Sequence, residues 1–368
     1  MAGLAGAVTA LLAGPGPPAA AGTTTGPTPL TRAQLEAGAD HACIVEGGGS
    51  PRIAWAQTTN PIVAYPEAAA KDEALIWAGG RWHMLFSYVT DDPGAPGGVS
   101  WNIATATSPN LADWSAPSPW PRQAGVEGVA SPDVTRSPSS GFVVTYQSDP
   151  GEAGGHQDRL YDRTSPDLVH FSAARPLAHG LARAPGDRMI DGALAWTGHG
   201  VILGYKSGVA DGSQALEIAW SPSGSLDGPW TAVGRPNISV YDDTVENYEF
   251  LTVGGHWDLV ATSNQLDQPW LFELTGDPTT ATGWLEWSAG TQLTVPGAPW
   301  DTGTGISSVG FEHANSAFLC DAHSFDGYYY LVYAGSSELS RFGGWGHAEI
   351  GVVRSTDLVH WQLPGAAP

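Results

Sequence analysis

The strongest constraint in this sequence is a fivefold repeat. An aromatic or β-branched run ending in a small polar residue recurs as WHMLFS (82–87), FVVTYQS (142–148), VILGYKS (201–207), WDLVATS (257–263) and YYLVYAGS (329–336). Each copy follows a Gly-containing turn, and each turn follows another short apolar strand. A second element comes after each copy: SPNLADW (108–114), SPDLVHF (165–171), SPSGSLDGPW (221–230), a degenerate TGWLEW (282–287) and STDLVHW (355–361). The unit therefore reads strand, turn, strand, strand, turn, strand over roughly sixty residues, which is one four-stranded propeller blade. Five units predict an all-β chain, a five-bladed β-propeller from about residue 60 onward. A β-sandwich has no reason to repeat its turn chemistry five times.

Composition agrees with many short strands joined by tight turns: 16 Trp, 11 Tyr, 48 Gly and 29 Pro, with only 14% charged residues. Radial sheets bury both faces between neighbouring blades, which accounts for the aromatic usage. The formal charge of −22 argues against a nucleic-acid partner, because phosphate binding needs a basic surface. Lys71 and Lys206 are the only lysines.

Residues 2–13, AGLAGAVTALLA, form an apolar run too short to span a bilayer and resemble a secretory signal without its basic n-region. The expected organisation is a signal-like segment and Pro/Gly/Thr-rich linker over 1–30 and a propeller domain over 31–368, secreted, monomeric and with no membrane partner. Cys43 and Cys320 read equally as one bridge or as two free thiols.

Upstream of the turns lie Asp72 in KDEALIWAGG, Asp133 in SPDVTRSPSSG, Asp191 in IDGALAWTGHG and Glu246 in VENYEFLTVGG. The first strand of every propeller blade lines the central channel, so acids at equivalent repeat positions converge on one spot. Crowded like charges raise at least one pKa, the condition for a carboxylic acid that donates a proton near neutral pH. An acid paired with a separate carboxylate base is what glycoside hydrolysis needs. Glu249 is a rival for the acid, although a three-residue shift from Glu246 faces the other side of a strand.

These motifs resemble glycoside hydrolase family 43 and its five-bladed clan relatives, including the family 62 arabinofuranosidases. The resemblance implies Asp72 as general base, Asp191 as the residue that orients the acid and raises its pKa, and Glu246 as general acid. A proline common after each of these acids is replaced here by Glu73, Gly192 and Asn247. The resemblance also implies a histidine beneath the sugar that helps hold a calcium ion or water cluster in the channel, here His313 in FEHANSAFL, and an arginine reaching substrate, here Arg341. Aromatic and polar groups at channel ends or in loops make Trp77, Trp101, Gln147, Tyr248 and Trp345 candidates for sugar contact, with Asp133 beside them. No P-loop, dinucleotide fingerprint or HExxH helix is present, and no organic cofactor is implied.

The expected function is hydrolysis of arabinofuranosyl or xylosyl linkages in plant-type polysaccharide with inversion. Inversion places the two carboxyl groups about 6.5–9.5 Å apart. A retaining fructan-type hydrolase with Asp72 as nucleophile, or a noncatalytic sugar-binding propeller, are the alternatives.

Overall fold

Alternating apolar strands joined by Gly-containing turns close into five antiparallel sheets. The structure, a computed structural model, describes residues 27–45, 49–139, 141–149, 158–182, 187–208, 214–238, 240, 245–263, 266–301, 313–338, 340–342 and 346–365. Blade one holds β1 (Ala68–Ala78), β2 (Arg81–Asp91), β3 (Val99–Ser108) and β4 (Ser118–Pro119). Blade two holds β5 (Gly128–Arg136), β6 (Phe142–Asp149), β7 (Leu160–Ser165) and β8 (Arg175–Pro176). Blade three holds β9 (Arg188–Trp196), β10 (Val201–Gly208), β11 (Gln214–Ser221) and β12 (Thr231–Gly234). Blade four holds β13 (Val245–Val253), β14 (His256–Ser263), β15 (Gln268–Glu273) and β16 (Thr291–Gln292), and blade five β17 (Ser316–Asp321), β18 (Tyr329–Gly335) and β19 (Glu349–Ser355). Strands in each blade pair in chain order, as a meander requires. The protein is a five-bladed β-propeller.

Blade five has three strands among the described residues, and its outer edge is capped from both ends of the chain. Val63 bridges Ile350, and Gln362 bridges Arg354. Ring closure thus leaves little of β19 as an open edge, the feature that exposes other sheets to unwanted pairing.

The segment before β1 is an arm across the far end of the channel. Its helix α1 (Arg32–Glu36) begins with a capping box in which Thr31 and Gln34 satisfy each other's backbone N–H groups. Asp40 Oδ2 then accepts from the Trp196 amide at the end of β9 (3.0 Å), His41 meets the Trp257 ring edge-on, and Ile44 pairs parallel to Trp77 at the end of β1. Cys43 and Cys320 form a disulfide, resolving the two open readings in favour of the bridge. The apolar 2–13 segment lies outside the described residues.

Candidate active site

Four of the five inner strands carry the same irregularity. The β1–β2 register slips between Lys71 and Ala74, β5–β6 between Ala130 and Asp133, and β13–β14 between Glu246 and Glu249. In β9–β10 the slip falls opposite Gly204 and Lys206, leaving Asp191 and Gly192 as the extra pair. Each slip is a β-bulge whose first residue has a left-handed backbone: Asp72 (φ 52), Ser131 (φ 50), Asp191 (φ 52) and Asn247 (φ 54). Short polar side chains tolerate this region best, and bulges of this kind re-aim side chains beside active sites.

The bulges correct the alignment read from sequence. The equivalent residues are Asp72, Ser131, Asp191 and Asn247. Glu246 stands one position earlier, in the register place of Lys71, because it pairs with Thr262 as Lys71 pairs with Ser87. Asp133 stands two positions later and shares its place with Glu249, so both point into the channel below the bulges. A bulge sets two residues opposite one on the partner strand, so counting back from the turn glycine does not give the register.

A bulge also detaches a backbone N–H from the ladder, and each one is accepted by a neighbouring blade. Ser131 N donates to Ser87 Oγ (2.8 Å), Asp191 N to Gln147 Oε1 (2.7 Å), Asn247 N to Asp191 Oδ2 (3.3 Å) and Asp72 N to Ser316 Oγ (3.0 Å). This ring of bonds locks the blades together at the level of the acids. Gln147 therefore positions Asp191, and in blade five it is Ser316 that meets the bulge of blade one.

Asp72 accepts from Ser87 Oγ at 2.7 Å on Oδ2 and pairs with Lys71 Nζ at 3.2 Å through Oδ1. Glu246 Oε2 pairs with Lys206 Nζ at 2.5 Å. Burial, then the charges of Glu246 and Asp72, push the Asp191 carboxyl up to about 6. Burial pulls Lys71 down, but Asp72, Glu246 and Asp191 together hold it above the usual lysine value. The Glu246 side chain is 26% exposed, against 6% for that of Asp72, so Glu246 is the more open to an incoming leaving group. Neither lysine was assigned a role from sequence, although their being the only two was the available signal.

Asp72, Asp191 and Asn247 share a channel cavity of about 30 Å³ with Glu73, Asp133 and Glu249. Burial raises Glu73 to about 8, Asp133 to about 6 and Glu249 well above the carboxylate range. Glu249 accepts from the Leu319 amide at 2.7 Å, and Tyr248 donates to Val245 O at 2.6 Å. Both are structural members of the channel wall, and Glu249 is not placed to rival Glu246.

The remaining candidates divide. The Trp101 ring lies 5.9 Å from Lys71 Nζ, near the acids. Trp77 is 2% exposed at the opposite end of β1, packed on Trp82 and bonded to Gly49 O, so it is core. Arg341 donates to Pro66 O and stacks on Phe342 at the junction of blades five and one. Trp345 lies outside the described residues. His313 bonds Val295 O through Nε2 (2.9 Å) and contacts Asp301 through Nδ1 (3.4 Å), which turns its ring away from the channel cavity. Among the described residues, no group of three His, Cys, Asp or Glu is arranged to hold a metal.

No family model and no curated protein matches the sequence. Solved structures do match. An α-L-arabinofuranosidase from Lactobacillus brevis superposes with a TM-score of 0.55 at 13% identity, covering 84% of this chain and 97% of its own. A thermostable family-43 glycoside hydrolase gives 0.56 at 12% identity, with 84% and 98% covered. This chain has the fold of those glycoside hydrolases. The same propeller is seen in a Podospora anserina α-L-arabinofuranosidase solved with cellotriose, with a TM-score of 0.56, 14% identity and coverage of 84% and 97%.

Proposed function

We propose that the protein is an exported glycoside hydrolase that cleaves arabinofuranosyl or xylosyl linkages of plant-type polysaccharide with inversion. The observation that carries this reading is the assembly of three carboxylates from three blades, with Asp72 engaged by a cation and a hydroxyl and Glu246 the more exposed. Likeness in fold to arabinofuranosidases and to a family-43 hydrolase supports the reaction class and the sugars. The disulfide suits an oxidising compartment.

Asp72 takes a proton from water as that water attacks the anomeric carbon. Glu246 gives its proton to the glycosidic oxygen as the bond to that carbon breaks. Asp191, whose own amide is held by Gln147, carries the charge that answers both lysines and, by accepting from the Asn247 amide, fixes the backbone just after Glu246.

Hydrolysis of nitrophenyl arabinofuranoside, nitrophenyl xyloside, arabinan and arabinoxylan tests the reading. Asp72→Asn is expected to abolish turnover while sugar binding remains measurable. Glu246→Ala is expected to slow natural glycosides about 10²-fold or more and activated aryl glycosides far less, since only poor leaving groups need the proton. Equal loss on both substrate types would place the acid elsewhere. Retention at the anomeric centre, seen by proton NMR of the first product, would instead make Asp72 a nucleophile.

A further inference from the structure

Lysine is absent from this chain except at two buried positions, and both meet the candidate acids. Burying an ammonium costs several kcal/mol unless a partner offsets it, so each needs an explanation. Lys206 has a specific one, visible by comparing blades.

Lys206 pairs with Ile190, the residue just before the bulge of its own blade. The same place is held by Ser87, which pairs with Lys71, and by Gln147, which pairs with Ala130. Ser87 and Gln147 each accept the bulge N–H of the next blade. Lysine has three donors and no acceptor, so it cannot do this. Asn247 N turns to Asp191 Oδ2 instead, at 3.3 Å, against 2.8 and 2.7 Å for the bonds made to Ser87 and Gln147. The lysine thus replaces a residue type suited to the ring with one that cannot serve it. What it contacts is Glu246.

We propose that Lys206 is a positioning residue for the general acid: it anchors Oε2 of Glu246 from the neighbouring blade and sets a positive charge directly beside it. The inference rests on Glu246 being the acid. The charged and titratable groups around the pair are Lys206 on β10, Asp191 on β9, Lys71 and Asp72 on β1, and Tyr248 on β13. Asp191 opposes Lys206 in its effect on Glu246, and Lys71 reinforces it. The acid therefore sits in a balance of two cations and two other carboxylates, and Lys206 is the member in direct contact.

The informative variant is Lys206→Gln, which restores the acceptor found at Gln147 and removes the cation. It is expected to fold at least as stably as the parent. Its pH–rate profile on a natural glycoside should extend the alkaline limb upward by about one unit, because an opposite charge at this range displaces a carboxyl by one to three. Well above both limbs, the variant should keep about tenfold more of its own optimal rate than the parent does. Lys206→Arg should return the limb to the parent position. An unmoved limb in active Lys206→Gln would overturn the proposal.

A second measurement needs no turnover. Lysine-selective carbon and nitrogen labelling of the full chain yields signals from only two side chains. Glu246→Gln should shift one pair of signals strongly and Asp72→Asn the other. If Glu246→Gln moves neither, Lys206 does not hold Glu246 in solution. A parent with no glycosidase activity but a Glu246-dependent lysine signal would refute the hydrolase reading and leave the ion pair standing.

Discussion

A carboxyl group buried without a cation behaves differently from one that has a partner, and this chain contains both kinds within one channel. Asp72 and Glu246 have lysines, whereas Glu73 accepts from Ser316 Oγ through Oε2 and has no partner among the described residues for Oε1. Burial therefore favours its protonated form and raises it from 4.5 to about 8. The stabilisation from keeping Glu73 neutral is complete below its unfolded value and is lost as pH rises through about 8. Glu73→Gln, which stays neutral, should match the parent's thermal midpoint near pH 4 and exceed it increasingly toward pH 8. The gap should grow by about 1 kcal/mol per pH unit within that window. Parallel midpoint curves for the two proteins, measured by calorimetry, would show that Glu73 ionises freely in the fold.

At the level of elements, the arm of residues 31–45 is short of regular structure yet touches the ends of several inner strands. Leu35 is buried with Leu177, Trp196 and Leu203, Asp40 caps the end of β9, and Cys43 is bonded into blade five. His41 is buried, which disfavours its charge, but Asp40 at 3.1 Å and Asp133 above it raise it over the usual imidazole value. The arm thus places an imidazole under the channel acids. Its covalent tie closes a loop of 277 residues in sequence separation. Replacing both cysteines by alanine should lower unfolding stability by about 2–4 kcal/mol in urea titration. The loss should disappear when parent and variant are compared under reducing conditions. A variant as stable as the oxidised parent would mean that packing alone holds the arm.

For the whole molecule, the ring has no natural end, so its stability depends on the seam between blade five and the chain termini. Val63 is 2% exposed and bridges Ile350, while Asn60 bonds both the N–H and the carbonyl of Val352. Val63→Asp buries an unpaired charge at this seam and should cost about 3 kcal/mol or more. Because the bulge N–H of each of blades one to four is accepted by a neighbouring blade, opening the seam should loosen the ring as a unit. Calorimetry should then show one transition shifted downward. An early transition of small enthalpy, followed by the parent's midpoint, would show that blade five unfolds alone.

The blades were legible because their signals are local: turn glycines, alternating apolar residues and the repeated Ser-Pro or Ser-Thr turns lie within a few residues of the strands they define. The presence of acids in blades one, three and four was legible for the same reason. The sequence by itself therefore determined the five-bladed ring and most of the carboxylates facing its channel, Glu73 being the one it missed. What only the tertiary structure decided was the placement of side chains within that ring. Bulges shift Glu246 and Asp133 out of the register shared by Asp72 and Asp191. Ser316 joins the ring of bonds while His313 turns to Val295 O, and Trp77 falls into the core. Lys206 reaches Glu246 across 40 residues of chain, and Ser316 reaches Glu73 across 243. Such contacts join blades whose relative position is set by ring closure, and no local pattern of residues carries that information.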